Sequence, residues 1–484
     1  MIKNKKKIDL IINHAKIYGF IFKSSEIYNG IKSIYDYGPQ GIEMKNNIKN
    51  FWWEYMVKYR DNIVGIDTSI LMNNKVWKAS GHIKNFNELF ILNKKNNKIY
   101  FIEDLFKKII LKIKNKKIKK KKKKKFYNLL NKNKINKLNT FLKKIIFLIK
   151  LKDKIIWNNI KNFNLMFKTK LNLKKKKKKK YIYLRPETSQ GIFINIKNVK
   201  NSNNLKIPFG IAQIGKSFRN EIISKQFIFR TKEFEQMEMQ FFIYPGEEKK
   251  WYKYWINNRL KWHYFFNIDK KKYKLKKHKK LSHYSKLATD IEFKFINSFK
   301  ELEGIHFRKD YDLKNHFLLS KKNFYFYDIK NKKKYIPYVI ETSLGLDRVF
   351  YSIFCSSFKN EIINNKKRTY LKLPFFISPI KIAILPIIKN NNKIVNISKK
   401  IFNYFRFKYS VIYDDKYSIG KRYKKQDSIG TPFCITIDKN TIINNTVTIR
   451  FRDKMNQKIY NIKKLKKFFK KKFDITFFFK KNLI

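Results

Sequence analysis

Polar and apolar side chains alternate strictly along QMEMQF, residues 236–241, and the next odd position, Ile243, is again apolar. A period of two is that of a β-strand with one packed and one polar face. The preceding segment, IPFGIAQIGKSFRNE (207–221), has strand character too. We therefore predict an antiparallel hairpin, connected at about 222–229, whose polar face carries Arg219, Glu221, Gln236 and Glu238. Cross-strand ion pairs on a solvated sheet would give the same pattern.

Arginine is scarce in this chain, so its positions are informative. Only 12 of the 114 Lys and Arg residues are Arg, while Lys, Ile, Asn, Phe and Tyr are abundant together, as a gene biased toward A and T would produce. An arginine retained against that bias is expected to do what lysine cannot, which is to grip a carboxylate or phosphate at two points or to stack on a flat ring. Arg185, Arg219, Arg230 and Arg348 are the first candidates.

Length, charge and cysteine content limit the class of protein. A chain of 484 residues is expected to form two or more domains, and a net charge of +79 favours a polyanionic partner such as nucleic acid. Two cysteines, Cys355 and Cys434, are too few for a disulfide framework or a four-ligand zinc site, so no zinc is expected. Without a signal-like N-terminus or an apolar run of about 18 residues, the sequence predicts a soluble cytoplasmic protein.

The composition of the sequence and its pattern of apolar residues change along the chain. Residues 105–180 are low in complexity, with the lysine runs Lys119–Lys125 and Lys174–Lys180, and such runs are typical of solvated segments without a defined fold. A second basic insertion, about 245–286, is predicted to be helical at first and then a Lys-rich loop. The last part, 373–484, alternates short apolar strands with a helix near 393–407, which predicts a separate α/β domain.

Several stretches resemble the motifs of class II aminoacyl-tRNA synthetases. FRNE (218–221), followed by Arg230, Phe234 and Glu238, looks like motif 2, and ETSLGLDRVF (341–350) resembles motif 3. Longer strings resemble the glycyl-tRNA synthetases in particular: YDYGPQGIEMKNNIKNFWWEYMV (35–57, motif 1), VGIDTSILMNNKVWKASGH (64–82), LRPETSQGIF (184–193) and ELEGIHFRKDYDL (301–313). Near the C-terminus, GKRYKKQDSIGTPFCITID and NTVTIRFRDKMNQ are similar to that family's anticodon-binding domain.

The resemblance implies an α+β fold: an antiparallel-sheet class II catalytic domain over residues 1–372, interrupted by the two Lys-rich insertions, and an α/β anticodon-binding domain over 373–484. It implies a homodimer paired through motif 1, in which Trp52 and Trp53 would face the core and the partner, one each. The partners implied are tRNA(Gly), glycine and ATP, with no membrane.

The resemblance also assigns the ATP site. Arg219 would hold the α-phosphate and the substrate carboxylate, and Arg348, at a helix start, would hold the γ-phosphate; these two are the catalytic residues implied. Phe234 would stack under adenine. Glu301 would bind ATP through Mg²⁺, a cation that prefers carboxylate and phosphate oxygens. The full ATP set is Arg219, Asn220, Glu221, Phe229, Arg230, Thr231, Lys232, Glu233, Phe234, Glu301, Leu302, Gly345, Leu346, Asp347 and Arg348.

Glycine has no side chain that a protein can bind. Its ammonium group must be recognised by carboxylates, and the hydrogen in place of a side chain must be recognised by a pocket too small for a larger group. The resemblance gives the ammonium to Glu187, Glu238, Glu341 and Ser343, above a floor kept low by Gly345. The full glycine set is Glu187, Phe234, Glu235, Gln236, Met237, Glu238, Glu341, Thr342, Ser343, Leu344 and Gly345.

Two departures and three alternatives accompany this assignment. NKKNNKIYFI (93–102) lacks the arginine and the cysteines expected there, and Leu344 replaces a small residue, so it is expected to press on the pocket. Another class IIa specificity (prolyl, threonyl or histidyl) is the nearest alternative. A non-catalytic synthetase-like RNA-binding protein would have lost Arg219, Arg230 and Arg348, and a plain basic RNA-binding protein would have no reason to keep RPETSQG or GLDR.

Overall fold

The computed structural model describes residues 2–93, 98–111, 113, 116–131, 134–148, 159–171, 180–221, 227–278, 285–296, 298–328, 331–363, 365–476 and 479. The chain forms two compact units. The first comprises Met1–Ile70, Glu187–Ser217 and Lys225–Ile484, and the second comprises Leu71–Pro186 and Phe218–Ser224. Residues 172–179 lie outside the described residues, so only Lys180 of the predicted Lys174–Lys180 run is described.

The described part of the chain contains fifteen α-helices. They are α1 (Ile2–Ile17), α2 (Pro39–Trp53), α3 (Asn74–Ala79), α4 (His82–Asn85), α5 (Ile102–Leu111), α6 (Lys116–Asn131), α7 (Ile135–Leu148), α8 (Ser189–Ser202), α9 (Glu248–Tyr264), α10 (Tyr311–Ser320), α11 (Leu346–Ser357), α12 (Asn392–Arg406), α13 (Ile419–Ile429), α14 (Lys439–Asn444) and α15 (Leu465–Phe473). Helix α2 begins with Pro39 in its first turn and continues into a π-helical turn, Glu54–Lys58.

The strands of the described residues number twenty-three. They are β1 (Ile21–Lys23), β2 (Tyr35–Tyr37), β3 (Ile63–Gly65), β4 (Asn87–Asn93), β5 (Lys98–Phe101), β6 (Lys161–Asn164), β7 (Lys168–Leu171), β8 (Lys180–Tyr183), β9 (Phe209–Phe218), β10 (Glu233–Ile243), β11 (Tyr273–Lys277), β12 (Leu287–Lys294), β13 (Phe299–Lys309), β14 (Phe326–Asp328), β15 (Lys333–Tyr335), β16 (Tyr338–Gly345), β17 (Phe358–Ile363), β18 (Lys366–Leu371), β19 (Ile382–Pro386), β20 (Val411–Tyr413), β21 (Phe433–Ile437), β22 (Thr446–Phe451) and β23 (Gln457–Asn461).

A seven-stranded sheet organises the first unit. Its strand order is β11-β12-β13-β16-β10-β9-β3, with antiparallel pairing from β11 through β10 and parallel pairing of β3 with β9. One face packs on the largest apolar cluster, which includes Met237, Met239, Phe241 and Ile243 of β10 and side chains of α2, α9 and α11. The other face packs on a smaller cluster with side chains of α8 and α10. The predicted antiparallel α+β fold is confirmed.

The predicted hairpin is present in outline and differs in two details. Strands β9 and β10 are neighbours in the sheet, and Met237, Met239 and Phe241 are buried on the apolar side, as the alternation requires. Strand β9 ends at Phe218, however, so Arg219 and Glu221 follow the strand instead of lying on its polar face. The polar residues of β10 are not on a solvated sheet either, because Gln236 and Glu238 are buried.

The second basic insertion is more regular than expected. Its helix, α9, is present, and Trp255 and Trp262 of that helix are buried in the main apolar cluster. The Lys-rich part was predicted to be a loop, but Tyr273–Lys277 form the edge strand β11, in register with β12. The prediction failed here because lysines on an edge strand can point to solvent while the backbone completes the sheet.

Strands β19 to β23 form a five-stranded sheet, which has an apolar core of its own together with α12 and α15. The strand order is β20-β19-β21-β22-β23, parallel at β20-β19-β21 and antiparallel beyond. Its apolar cluster includes Ile384, Ile394, Ile435 and Phe469, which come from β19, α12, β21 and α15. The predicted α/β character of this part is confirmed, and the predicted helix near 393–407 corresponds to α12.

The second unit contains a folded insertion. We expected no defined fold between residues 105 and 180, yet α5, α6 and α7 share an apolar cluster with β4, and the Lys119–Lys125 run lies on α6. Phe106 and Phe126 stack with ring centroids 3.7 Å apart. The expectation was wrong because the apolar residues around the run are enough to bury one side of each helix. None of the helices among the described residues is long and apolar enough to cross a membrane.

Candidate active site

Strands β10 and β16 bring together most of the residues predicted to bind glycine. Their antiparallel register pairs Gln236 with Gly345, Glu238 with Ser343 and Gln240 with Glu341. Alternate residues of a strand point to the same face, so Glu238, Glu341 and Ser343 share the face opposite the main apolar cluster. Glu238 and Glu341 are only 2 % and 4 % exposed. Two carboxyl groups are therefore buried side by side on the sheet.

Hydrogen bonds connect the two carboxyl groups. Gln240 Nε2 donates to Glu238 Oε1 over 3.3 Å and to Glu341 Oε2 over 2.9 Å. Thr188, at the start of α8, donates its hydroxyl to Glu238 Oε2. His306 Nδ1 lies 2.7 Å from Glu341 Oε1. Buried carboxyl oxygens need such partners, because leaving one unpaired would cost free energy.

Arg308 provides the positive charge of this cluster. Its Nη1 donates to Glu341 Oε2 over 2.7 Å, and its Nε and Nη2 donate to the two carboxylate oxygens of Asp312 over 2.8 and 3.0 Å. The guanidinium is buried, and its fork geometry satisfies two carboxylates at once. A lysine could not make all three of these hydrogen bonds in this arrangement.

Glu187 lies at the edge of the same cluster. Ser189 donates its hydroxyl to Glu187 Oε1, and Gln190 Nε2 donates to Glu187 Oε1 over 3.1 Å and to Asp312 Oδ1 over 2.9 Å. His316 Nε2 in turn lies 3.0 Å from Gln190 Oε1. Helices α8 and α10 thus fix Glu187 beside the sheet carboxylates through one shared amide.

The two sheet carboxyl groups have opposite pKa shifts. Burial, together with the nearby charges of Glu341 and Glu187, raises the pKa of Glu238 well above its ordinary value. Burial also opposes ionisation of Glu341, but the charge of Arg308 and the hydrogen bond from His306 outweigh it and hold the pKa of Glu341 below its usual range. Glu238 therefore holds its proton more strongly than Glu341 does, and a cation bound between the two groups would favour the ionised form of both.

Three residues of the predicted glycine set lie on the other face of the sheet. Met237 and Leu344, partners in the β10–β16 register, are buried in the main apolar cluster. The expectation that the Leu344 side chain presses on the pocket is wrong, because it points into the core on the side opposite Glu341. Thr342 is also buried on the Leu344 side of the strand.

The start of α11 carries the predicted γ-phosphate residue. Gly345 is the N-cap of this helix and Arg348 lies in its first turn, where unpaired backbone N–H groups favour anions. Arg348 Nη1 lies 3.2 Å from Glu301 Oε1, and its guanidinium carbon lies 4.7 Å from the Phe229 ring centroid. The Glu301 side chain is 51 % exposed. These three members of the predicted ATP set are therefore in contact.

The other members of the ATP set in this unit surround β10 and α11. Thr231 is buried, Arg230 and Phe234 are half-buried, and Glu233 pairs with Lys216. The Lys232 backbone N–H donates to Ser33 O over 2.9 Å. Leu302 and Leu346 belong to the main apolar cluster, so their side chains support the site by packing in the core.

Asp347 and Glu235 form a structural connection with motif 1. Lys45 of α2 pairs with Glu235 at 2.6 Å and with Asp347 at 3.7 Å, and Tyr37 donates its hydroxyl to Asp347 Oδ1. The Glu235 backbone N–H donates to Asp347 Oδ2 over 3.2 Å. These carboxylates already hold the three motifs together, whatever their part in ligand binding.

Arg219, Asn220 and Glu221 belong to the second unit. Arg219 Nε donates to Pro186 O over 3.0 Å, and its guanidinium carbon lies 5.4 Å from the Phe86 ring centroid. The Asn220 backbone N–H donates to Leu165 O over 2.7 Å, and Glu221 is buried. The segment after β9 is therefore held by other residues of the second unit, namely Phe86, Leu165 and Pro186.

Several residues of the carboxyl cluster were missed by the analysis of the sequence. They are Thr188, Gln190, Gln240, His306, Arg308 and Asp312. Arg308 and Asp312 lie in ELEGIHFRKDYDL, a string that was noted only for its resemblance. The scarcity of arginine is a signal that singles out Arg308 as well.

Comparison with known proteins identifies the family. Residues 167–357 match the tRNA synthetase class II core domain (G, H, P, S and T), and residues 381–472 match an anticodon-binding domain. The glycine–tRNA ligase of Borrelia hermsii is 43 % identical over 460 residues, which cover 93 % of this chain and 94 % of that protein. This chain belongs to the glycine–tRNA ligases. The glycine–tRNA ligases of Staphylococcus aureus (42 % identical, 96 % of this chain and 99 % of the relative) and Chlorobaculum tepidum (41 %, 95 % and 98 %) agree with this.

Solved structures support the fold of this glycine–tRNA ligase chain. Prolyl-tRNA synthetase of Giardia lamblia, in complex with prolyl-adenylate, aligns with a TM-score of 0.61 at 14 % identity, covering 96 % of this chain and 76 % of the other. The Cryptosporidium parvum prolyl-tRNA synthetase gives a TM-score of 0.60, also at 14 % identity, over 96 % of this chain and 75 % of the other. At this identity the likeness concerns the class II fold and not the amino acid.

Proposed function

We propose that the buried carboxyl cluster and the start of α11 carry out the reaction of this family, the ATP-dependent attachment of glycine to tRNA. The glycine carboxylate attacks the α-phosphate of ATP, which forms glycyl-adenylate and releases pyrophosphate; a ribose hydroxyl at the 3′ end of tRNA then takes the glycyl group and releases AMP. The single observation that carries the proposal is the pair formed by Glu238 and Glu341, because a buried carboxyl pair fits a small ammonium ion.

The glycine ammonium would bind between two carboxyl groups, Glu238 and Glu341, whose pKa values are shifted in opposite directions. Arg308 and His306 lower the pKa of Glu341, whereas burial and the charges of Glu341 and Glu187 raise the pKa of Glu238. An ammonium ion between the two carboxyl groups lowers the pKa of Glu238 again, so glycine binding favours its ionised form. Ser343 and Glu187 lie on the same side and complete the polar lining, and Gly345 closes it without a side chain.

ATP binding uses residues that stabilise negative charge. Arg348 and the N-terminus of α11 take the γ-phosphate, Arg219 takes the α-phosphate and the substrate carboxylate, and Phe234 stacks on adenine with Arg230 and Glu221 beside it. The negative charge that develops on phosphate oxygens during attack is best stabilised by groups already in place. Arg348 meets this condition, because Glu301 and Phe229 hold its guanidinium before any ligand arrives.

Glu301 is the residue that would hold Mg²⁺ with the ATP phosphates. Its half-exposed carboxylate fits the usual magnesium arrangement, in which one or two carboxylates are joined by phosphates and waters. The bound ion would supply positive charge to the phosphate oxygens. Among the described residues, no group of three or more His, Cys, Asp or Glu side chains is placed to hold a metal ion without such phosphates.

The partners proposed are tRNA(Gly), bound partly through the anticodon-binding domain, and a second copy of the chain in a cytoplasmic homodimer. Support for the homodimer comes from the family resemblance of motif 1. Trp52 is buried in the core and Trp53 is half-buried with its ring against Gly65 of the same chain, so a partner would meet only the remaining face of Trp53.

Glycine-dependent exchange of pyrophosphate into ATP tests the proposal. We expect exchange with glycine and none with alanine, serine, proline, threonine or histidine at equal concentration. Exchange with proline, threonine or histidine would show a different class IIa specificity, and the absence of exchange with every amino acid would show a non-catalytic protein. A Glu238→Gln variant should abolish glycine-dependent exchange while the protein remains folded.

A further inference from the structure

The second unit carries a disproportionate share of the positive charge. Its sequence, residues 71–186 and 218–224, contains 39 Lys and Arg against five Asp and Glu, whereas the chain as a whole contains 114 against 35. Between Asp104 and Glu187 a single acidic residue, Asp153, occurs. A compositional bias acting evenly along the gene would not remove the carboxylates from one unit alone.

Part of this charge is held on a helix. Lys119–Lys125 are seven consecutive lysines within α6, and the helical rise of about 1.5 Å per residue places one positive charge on each such step. The phosphates of double-stranded DNA, for comparison, carry about one charge per 1.7 Å of axis. The linear charge density of the run therefore matches that of a duplex with the opposite sign.

The side chains of the run are available and the helix is anchored. Lys120, Lys121, Lys123, Lys124 and Lys125 are exposed. The helix is fixed by residues that follow the run, above all Phe126, which is fully buried and stacks on Phe106 of α5. Within the described residues, the ion pairs of this unit do not use any lysine of the run, and Asp104 pairs with Lys107 instead. The run is thus a solvent-facing cationic helix without carboxylate partners of its own.

We propose that α6 binds the phosphate backbone of tRNA through Lys119–Lys125. The inference rests on the proposed function, because that function supplies tRNA as the polyanion. Each lysine–phosphate contact releases condensed counterions, which gives binding that weakens steeply with salt. The contact is independent of base sequence, so the helix contributes affinity and encounter rate but no discrimination between tRNAs.

The test compares two variants of equal charge change in the full-length protein. Lys120→Gln, Lys121→Gln and Lys124→Gln are combined in one variant, because glutamine keeps the helix propensity of lysine. The matched control combines Lys249→Gln, Lys250→Gln and Lys253→Gln, three exposed lysines of α9. A third variant with arginine at 120, 121 and 124 keeps the charge. Binding of a tRNA(Gly) transcript is followed by fluorescence anisotropy from 0.05 to 0.4 M KCl.

We expect the slope of log K against log [KCl] to become shallower by about 2 in the α6 glutamine variant, at about 0.7–0.9 per lost contact, and affinity at 0.1 M salt to fall about 10²-fold. The arginine variant and the α9 control should keep the wild-type slope.

An unchanged slope in the α6 variant, or an equal change in the α9 control, would overturn the inference. Loss of binding to phosphatidylserine vesicles with tRNA binding unchanged would overturn it too, in favour of a membrane surface. Glycine-dependent exchange should be equal in all variants, and its absence from the wild type would refute the proposed function instead.

Discussion

Arg308 and Glu341 are joined by a hydrogen bond of 2.7 Å in the interior of the protein, while the same guanidinium holds Asp312 at two further points. Their contact lowers the pKa of Glu341, whereas the pKa of the neighbouring Glu238 is raised. Arg308 touches no substrate in the proposed arrangement and acts by positioning and charging Glu341.

Replacing Arg308 by methionine should destabilise the protein by about 3–5 kcal/mol, because two buried carboxylates lose their cation. Arg308→Lys should lose less, since it keeps the charge but not the fork. The free energy of unfolding from urea titration measures both. The control is Arg406→Met, an exposed arginine on α12, for which we expect a change within about 0.5 kcal/mol. Equal stability of the Arg308 and Arg406 variants would contradict the prediction.

Glu238→Gln should make the protein more stable at neutral pH and no more stable in acid. A carboxyl group whose pKa is raised on folding keeps its proton to a higher pH in the native state than in the unfolded chain, which loses it near pH 4.3. Stability therefore falls as pH rises from about 4 through the raised pKa, and glutamine removes that loss. Urea titrations at pH 4 and pH 7 measure the difference, and a variant that is less stable than the wild type at pH 7 would disprove the assigned direction.

The same carboxyl group predicts proton release on glycine binding. Calorimetric titration of glycine in buffers of different ionisation enthalpy should show proton release in the wild type and less in Glu238→Gln, because the bound ammonium ion lowers the raised pKa of Glu238. The variant should also bind glycine at least about 30-fold more weakly, since removing one partner of a buried charged contact costs 2–5 kcal/mol. Buffer-independent binding heats in the wild type would mean that Glu238 does not change its protonation.

Arg219→Lys should lower glycine-dependent exchange by about 10²–10³-fold although the charge is kept, because the bidentate grip on phosphate is lost. The matched control is Arg406→Lys. Exchange within threefold of the wild type would assign Arg219 a purely structural role, through its contacts with Pro186 and Phe86.

The chain should be a homodimer in solution. Light scattering at micromolar concentration should give twice the 59.1 kDa of the chain. A monomer with full exchange activity would show that motif 1 does not pair here, and that the aromatic residues of α2 serve only the core of their own chain.

Local patterns in the sequence predicted the elements whose side chains alternate or repeat visibly. β10 and the start of α11 are examples, because their periods and the glycine at position 345 are readable without neighbours. The end of β9 at Phe218 was not predictable, since a strand ends where its hydrogen-bonding partner does. The Arg308 network was hidden for a similar reason: Gln190 and Asp312 meet across 122 positions of sequence.

Half of the arginines retained in this chain lie in its interior. Arg185, Arg259, Arg308, Arg422, Arg450 and Arg452 are buried, six of the twelve. Arg259 pairs with Glu303 and Arg450 with Asp427, both without help from solvent. The hypothesis that retained arginines do what lysine cannot is therefore supported, but half of them do so in the core, where a planar fork satisfies buried acceptors.

The lysine run also affects the stability of helix α6. The seven lysines of the run repel one another in the first part of the helix, while the stacking of Phe106 on Phe126 stabilises only the second part. The helix should consequently fray from the lysine end, with amide hydrogens before residue 126 exchanging faster than those after it. Added salt or a bound polyanion reduces this repulsion. The ordered length of α6 should therefore depend on the ionic surroundings: the helix becomes longer when a phosphate chain binds beside it and shorter when that chain dissociates.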